Sequence, residues 1–247
     1  MLKGLGLAER FIFVVTANSH QVAMKHSDRV VVLQTSDEGH KVPDYAADVF
    51  MIFKNYQPFT PMPGNLRVVP LGCNKDVPAM PRKPMAARAL DVFFIGRPEY
   101  RESFFSAAIL AFDNYEDLNV EISEAPGFRL GHTPQDYAGR LADTKIALSP
   151  RGVSHETFRT YEAMRAGCVV IAERQLPSWF NEGWPVIEMA NWDGVGGRVR
   201  ELLNDPARLE DISRQSLHWW REKCSEEAVA HYMVRELSLK LLGAPGS

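Results

Sequence analysis

The chain has 247 residues, a formal net charge of −3, and 45% hydrophobic and 24% charged residues. That is a globular composition with enough length for one large or two small cores, and it excludes a disordered chain and a general basic field for nucleic acid. Cys73, Cys168 and Cys224 are widely spaced without metal-type pairing, and no apolar run suits a secretory signal or a membrane span, so a cytoplasmic protein with reduced thiols is expected, with peripheral membrane contact left open.

Residues 11–16 and 30–34 are apolar, β-branched runs that predict strands buried on both faces. They end at the polar clusters Asn18-Ser19-His20 and Thr35-Ser36-Asp37-Glu38-Gly39-His40. Residues 45–56 read as a helix, and 66–71 as a third strand closed by Gly72. Residues 74–90, with Pro78, Pro81 and Pro84, read as a linker.

A second series follows. Strands are predicted at 91–95 (ending at Gly96-Arg97), 118–122, 145–149, 168–172 and 184–188. Helices are predicted at 99–112, 133–142 (capped near His132 or Thr133), 155–166, 194–203, 206–223 and 226–242. This alternation predicts an α/β protein of two Rossmann-like parallel-sheet halves, with boundaries at 1–88 and 89–225. The first half is reduced, and helix 226–242 can cross back to complete it.

The densest chemistry lies in residues 146–171. A strand runs into Pro150, which stops its ladder; Gly152 allows a tight loop, Ser154 is a candidate N-cap, and Gly167 closes the helix before Cys168 opens an apolar strand. A loop and helix N-terminus at the carboxyl end of a parallel strand form an anion site, which fits the diphosphate of a nucleotide-sugar. Arg159 and Glu162 share a helical face, with Phe158, Tyr161 and Met164 expected on the sheet side. Arg159 can grip phosphate and Glu162 can accept ribose hydroxyls; the bland alternative is a surface ion pair worth little.

The order Pro150-Arg151-Gly152, Thr157-Phe158-Arg159, Glu162-Ala163, Ala166-Gly167-Cys168-Val169 resembles the C-terminal signature of exostosin-like glycosyltransferases. More broadly it is similar to the nucleotide-binding half of GT-B glycosyltransferases. The resemblance implies that Arg159 helps hold the diphosphate and Glu162 the ribose, with UDP-sugar the favoured donor. It also implies a GT-B-like arrangement in which residues 1–88 serve the acceptor, a glycan or other hydroxyl compound, and 89–225 the donor.

Other candidates come from strand ends. Asp37 or Glu38 can be the general base of an inverting transfer, or Asp37 can cap a turn; His20 and His40 are further base candidates. Gly96 and Arg97 can reach phosphate, as can Arg151, Gly152, Ser154, His155 and Thr157, with Lys54 and Asn55 weaker. The tryptophans Trp179, Trp184, Trp192, Trp219 and Trp220 invite sugar stacking, but Trp219-Trp220 at helical spacing suits packing between elements better. With no DxD-like acidic pair in context, metal-independent sugar transfer without a cofactor is the leading expectation. The rivals are a non-catalytic nucleotide- or glycan-binding protein of the same fold and a nucleotide-sugar epimerase.

Overall fold

The computed structural model describes residues 6–17, 28–113, 115–125, 127 and 132–243; the candidate His20 lies outside the described residues. The chain divides into two compact units, residues 1–71 with 225–247 and residues 72–224.

In the first unit a helical turn, α1 (Leu7–Arg10), precedes four parallel strands: β1 (Ile12–Ala17), β2 (Val30–Thr35), β3 (Met51–Lys54) and β4 (Leu66–Val68). They lie side by side in chain order. Val30, Val31 and Val32 of β2 and all four residues of β3 are buried, as parallel strands covered on both faces require. A terminal helix, Glu226–Leu241, belongs to this unit; Ser225 caps it by accepting from the Ala228 N–H. Its Glu236 side chain accepts from Arg67 Nε of β4 at 2.7 Å.

The helix expected over 45–56 is absent. Residues Ala46–Asp48 make one 3-10 turn and the chain then enters β3. Tyr45-Ala46-Ala47 carries the local helical signal, but Met51-Ile52-Phe53 gains more by filling a place in the sheet interior, where each is 0% exposed.

The second unit alternates β5 (Leu90–Gly96), α2 (Glu102–Phe112), β6 (Val120–Glu124), α3 (Pro134–Ala142), β7 (Thr144–Ser149), α4 (Phe158–Arg165), β8 (Val169–Glu173) and β9 (Ile187–Met189). Then come α5 (Val195–Leu203), α6 (Pro206–Trp219) and a π-type turn, Trp220–Cys224. Thr133, rather than His132, caps α3 by accepting from the Asp136 N–H. Gly167 ends α4 at φ 69°, with its N–H on Met164 O and the Cys168 N–H on Ala163 O, the paired bonds of a Schellman cap.

All strands of this sheet are parallel, in the order β6-β5-β7-β8-β9. Side chains alternate across it. Val92, Phe94, Ile146, Leu148, Val169 and Ile171 face one core with α2 and α5. Phe93, Ile95, Ala147, Val170 and Ala172 face another with Leu141, Ala163 and Met164. Trp184, Trp192, Trp219 and Trp220 belong to this packing: Trp192 and Trp184 are buried, and Trp219 donates to Phe180 O at 2.8 Å. Cys168 is fully buried, and burial pushes its thiol up to about 11.

Candidate functional site

Read by position, the second sheet runs second, first, third, fourth, fifth strand, so the winding direction reverses between β5 and β7. A parallel sheet opens a ligand crevice at the carboxyl ends of the strands flanking such a reversal, because the following chains depart to opposite faces. Here those ends are Gly96-Arg97, after β5, and Ser149-Pro150, after β7.

Arginine side chains gather at the first of these ends. Arg159 Nε donates to Ile95 O at 2.8 Å, and its guanidinium carbon lies 5.5 Å from the Phe94 ring centroid. Arg101 approaches the same ring at 6.0 Å and donates from one Nη to Arg97 O at 3.0 Å. It is only 7% exposed, and its Nε has no hydrogen-bond partner among the described residues. Burial, then the charges of Arg159 and Arg97, bring its pKa down to about 10, against the smaller opposing pull of Glu173 and Glu99. A buried guanidinium among other guanidiniums, with an N–H unspent, is a group arranged for an anion.

Glycines let the chain close around these groups. A Cβ on Gly96 would lie 2.6 Å from the Phe94 ring and 3.1 Å from an Arg159 Nη; one on Gly152 would lie 3.0 Å from an Arg101 Nη. Thus Arg101 bridges from the β5 loop to the loop after β7.

That second loop is pinned from beneath. The Ser149 hydroxyl meets those of Thr157 and Thr160 at 3.0 and 2.8 Å, and Tyr161 OH donates to Glu156 at 2.6 Å. Helix α4 begins at Phe158, so Thr157, not Ser154, occupies the cap position; Ser154 Oγ instead accepts from the Glu156 N–H at 3.3 Å in a local turn. The later start also leaves Phe158 36% exposed rather than on the sheet, where Met164 does pack; Tyr161 is fully buried with its hydroxyl on Glu156. The Thr157 hydroxyl and Ser154 are buried in this internal network. Arg151 folds over the loop, donating to Gly152 O and Val153 O, and His155 is exposed 3.9 Å from Glu173. Glu173 also accepts from Trp192 Nε1 and the Arg151 N–H.

Glu162 is 4% exposed, so it is no surface ion-pair member. It accepts from the Asn74 N–H at 3.1 Å and from the Tyr137 hydroxyl. Burial raises its pKa against the opposing pull of these bonds and of Arg159 and Arg165. Tyr137 is half-buried, and burial around its hydroxyl together with the nearby Glu162 holds its pKa well above the ordinary value.

The first unit's candidates separate. Asp37 is 1% exposed and bound to Lys54 Nζ at 3.1 Å and to the Lys41 N–H. Lys54, itself 0% exposed, also donates to Asn55 O and Tyr56 O, and Asn55 bonds Val69 O and Pro70 O. Glu38, by contrast, is exposed, and Tyr56 OH lies 3.5 Å from its carboxylate. Arg101 is the site residue that sequence reading missed. The Gly96-Arg97-Pro98 turn held the signal: it delays α2 to Glu102 and leaves Arg101 on the loop, its N–H on Pro98 O.

Residues 96–237 match the family described as glycosyl transferase-like, and the chain belongs to that family. No curated protein matches. Among solved structures, sucrose-phosphate synthase from Thermosynechococcus elongatus is similar at TM-score 0.59 and 12% identity, over 98% of this chain and 76% of that one. An alpha-glucosyltransferase in complex with UDP gives 0.56 and 9%, over 85% and 73%. TarM gives 0.52 and 11% over 85% of this chain, which spans only 55% of TarM. These likenesses show the fold: α/β, with two parallel sheets of GT-B type. Among the described residues no helix is long and apolar enough to cross a membrane.

Proposed function

We propose that the protein transfers a sugar from a nucleotide-diphosphate sugar to an acceptor hydroxyl. The observation that carries this reading is the arginine set, Arg101 with Arg159 and Arg97, at the reversal point of a parallel sheet. Family membership and similar structures that include a UDP complex support it. Residues 72–224 bind the donor, a UDP-sugar. Arg101 and Arg159 hold the diphosphate, Arg97, Arg151 and His155 border it, and Glu162 takes the ribose once Tyr137 yields its hydrogen bond. Gly96 and Gly152 keep the backbone low enough for phosphate to approach.

In the transfer, an acceptor oxygen bonds to the anomeric carbon while the bond from that carbon to the diphosphate oxygen breaks. The electron pair leaves with the diphosphate, whose new charge the guanidiniums stabilise; this is the metal-independent route. If configuration inverts, the acceptor proton passes to Glu38 of the first unit, the acceptor side. Asp37 is the less suitable base because Lys54 and the buried loop already occupy its carboxylate. An exostosin-like specificity and a cytoplasmic, membrane-peripheral setting complete the proposal.

Transfer and donor hydrolysis by the Arg159→Ala and Arg101→Ala proteins test it. Loss of a charge-stabilising donor is expected to lower turnover about 10²–10³-fold; unchanged rates in both would remove the arginines from the mechanism.

A further inference from the structure

The first unit holds a second constellation, at the carboxyl ends of β2 and β3. Four non-glycine residues among those described have left-handed backbone: Ser36 at φ 62°, His40 at 53°, Tyr56 at 58° and Tyr100 at 66°. Three of them, Ser36, His40 and Tyr56, lie in the two loops after β2 and β3. Such conformations are strained and persist where surrounding contacts impose them, commonly at binding sites.

The contacts here are specific. The buried Lys54–Asp37 pair ties both loops to the sheet. The Phe59 N–H donates to His40 O at 3.3 Å. His40 Nδ1 lies 2.7 Å from Gln57 O; a carbonyl only accepts, so Nδ1 carries the proton and the ring is fixed in one tautomer. The His40 ring stacks on Phe59 at 4.2 Å and 16°, and meets Tyr56 edge-on at 5.7 Å. Phe59 nevertheless stays 74% exposed. A histidine held parallel beneath the ring fixes its plane, so one aromatic face is presented to solvent in a set orientation. In the same loop as His40, Glu38 keeps an exposed carboxylate within reach of Tyr56 OH.

We infer that Phe59, backed by His40, is a platform for a sugar ring of an oligosaccharide acceptor, with the Glu38 carboxylate of the preceding loop as a polar group for its hydroxyls. A pyranose offers an apolar C–H face to an aromatic plane and hydroxyls at its edge, and the carboxylate accepts from those hydroxyls. The acceptor role rests on the transferase reading above; the sugar-binding surface itself does not need it. Phe59 is a binding residue and His40 a positioning residue, with Lys54–Asp37 the anchor beneath both.

The test is saturation-transfer NMR on the full chain with maltohexaose, chitohexaose and xylohexaose at millimolar concentration, beside a melting-temperature shift with UDP. At least one oligosaccharide is expected to receive saturation on its ring protons. Phe59→Ala is expected to weaken that ligand about three- to tenfold, with the UDP shift retained. His40→Asn removes the backing ring while tolerating left-handed backbone, and its loss should be smaller. Equal binding by Phe59→Ala and wild type, or no saturation of any of the three sugars, would overturn the platform. An absent UDP shift in the wild type would instead count against the donor reading alone.

Discussion

At the carboxyl end of the first sheet, Lys54 and Asp37 face one another at 3.1 Å with neither exposed beyond 1%. At the same end of the second sheet, Arg101 is nearly as buried, yet the charges that act on it most strongly are those of Arg159 and Arg97. One charge is neutralised inside the fold; the other is crowded by its own kind. The described strands of the first sheet also run in simple order, whereas the second sheet reverses at β5 and β7. The difference separates architecture from binding. A buried charge with a partner holds loops in place, and a buried charge without one stores an electrostatic cost that an incoming anion relieves.

Mutations at the two ends should therefore differ in kind. Asp37→Ala leaves Lys54 buried and uncompensated, and is expected to cost about 3–5 kcal/mol of stability in denaturant unfolding; a loss below 1 kcal/mol would end the contrast. Arg101→Ala removes a guanidinium from among like charges. Its melting temperature should match or exceed that of the wild type, while ligand binding suffers. A destabilised Arg101→Ala protein would make this arginine structural too.

Glu162 gives a pH-dependent version of the comparison. Burial raises its pKa in the folded protein, so between the ordinary glutamate value and the raised one the folded state holds the proton that the unfolded chain has lost. Stability from this group is present at low pH and falls as pH rises through that window. Glu162→Gln keeps the acceptor oxygen for Asn74 and Tyr137 but cannot ionise. Its stability relative to wild type should rise with pH across the window; a flat difference would mean the carboxylate is not strained. The smallest effect belongs to the exposed pairs of Arg198 and Arg208 with Glu201, where Arg198→Ala should leave the denaturant midpoint essentially unchanged.

The second unit was more legible in the sequence than the first, for physical reasons. Strand β7, the glycine-bearing loop, α4 and the Gly167 cap are consecutive, and local rules govern each: Pro150 stops a ladder and Gly167 takes a left-handed turn. Long-range contacts decide the rest. β3 hid behind an alanine-rich start because sheet burial outweighed helical propensity. Ser154 looked like the cap, but Ser149 draws Thr157 and Thr160 inward and delays the helix. Glu162 reads as a ribose-binding carboxylate pointing away from the core beside Arg159, and only the approach of Asn74 and Tyr137 buries it. Asp37 and Glu38 are adjacent in sequence and opposite in fate, because Lys54 arrives from a neighbouring strand.

The central claim is that the second sheet's excess positive charge exists to bind a diphosphate. Calorimetric titration of the wild-type and Arg101→Ala proteins with UDP and with uridine tests it most directly. UDP should bind the wild type more tightly than uridine, and Arg101→Ala should lose about 10–100-fold in UDP affinity, the worth of one charge-assisted hydrogen bond, with uridine unaffected. Equal binding of UDP and uridine, or a UDP affinity indifferent to Arg101, would contradict the account.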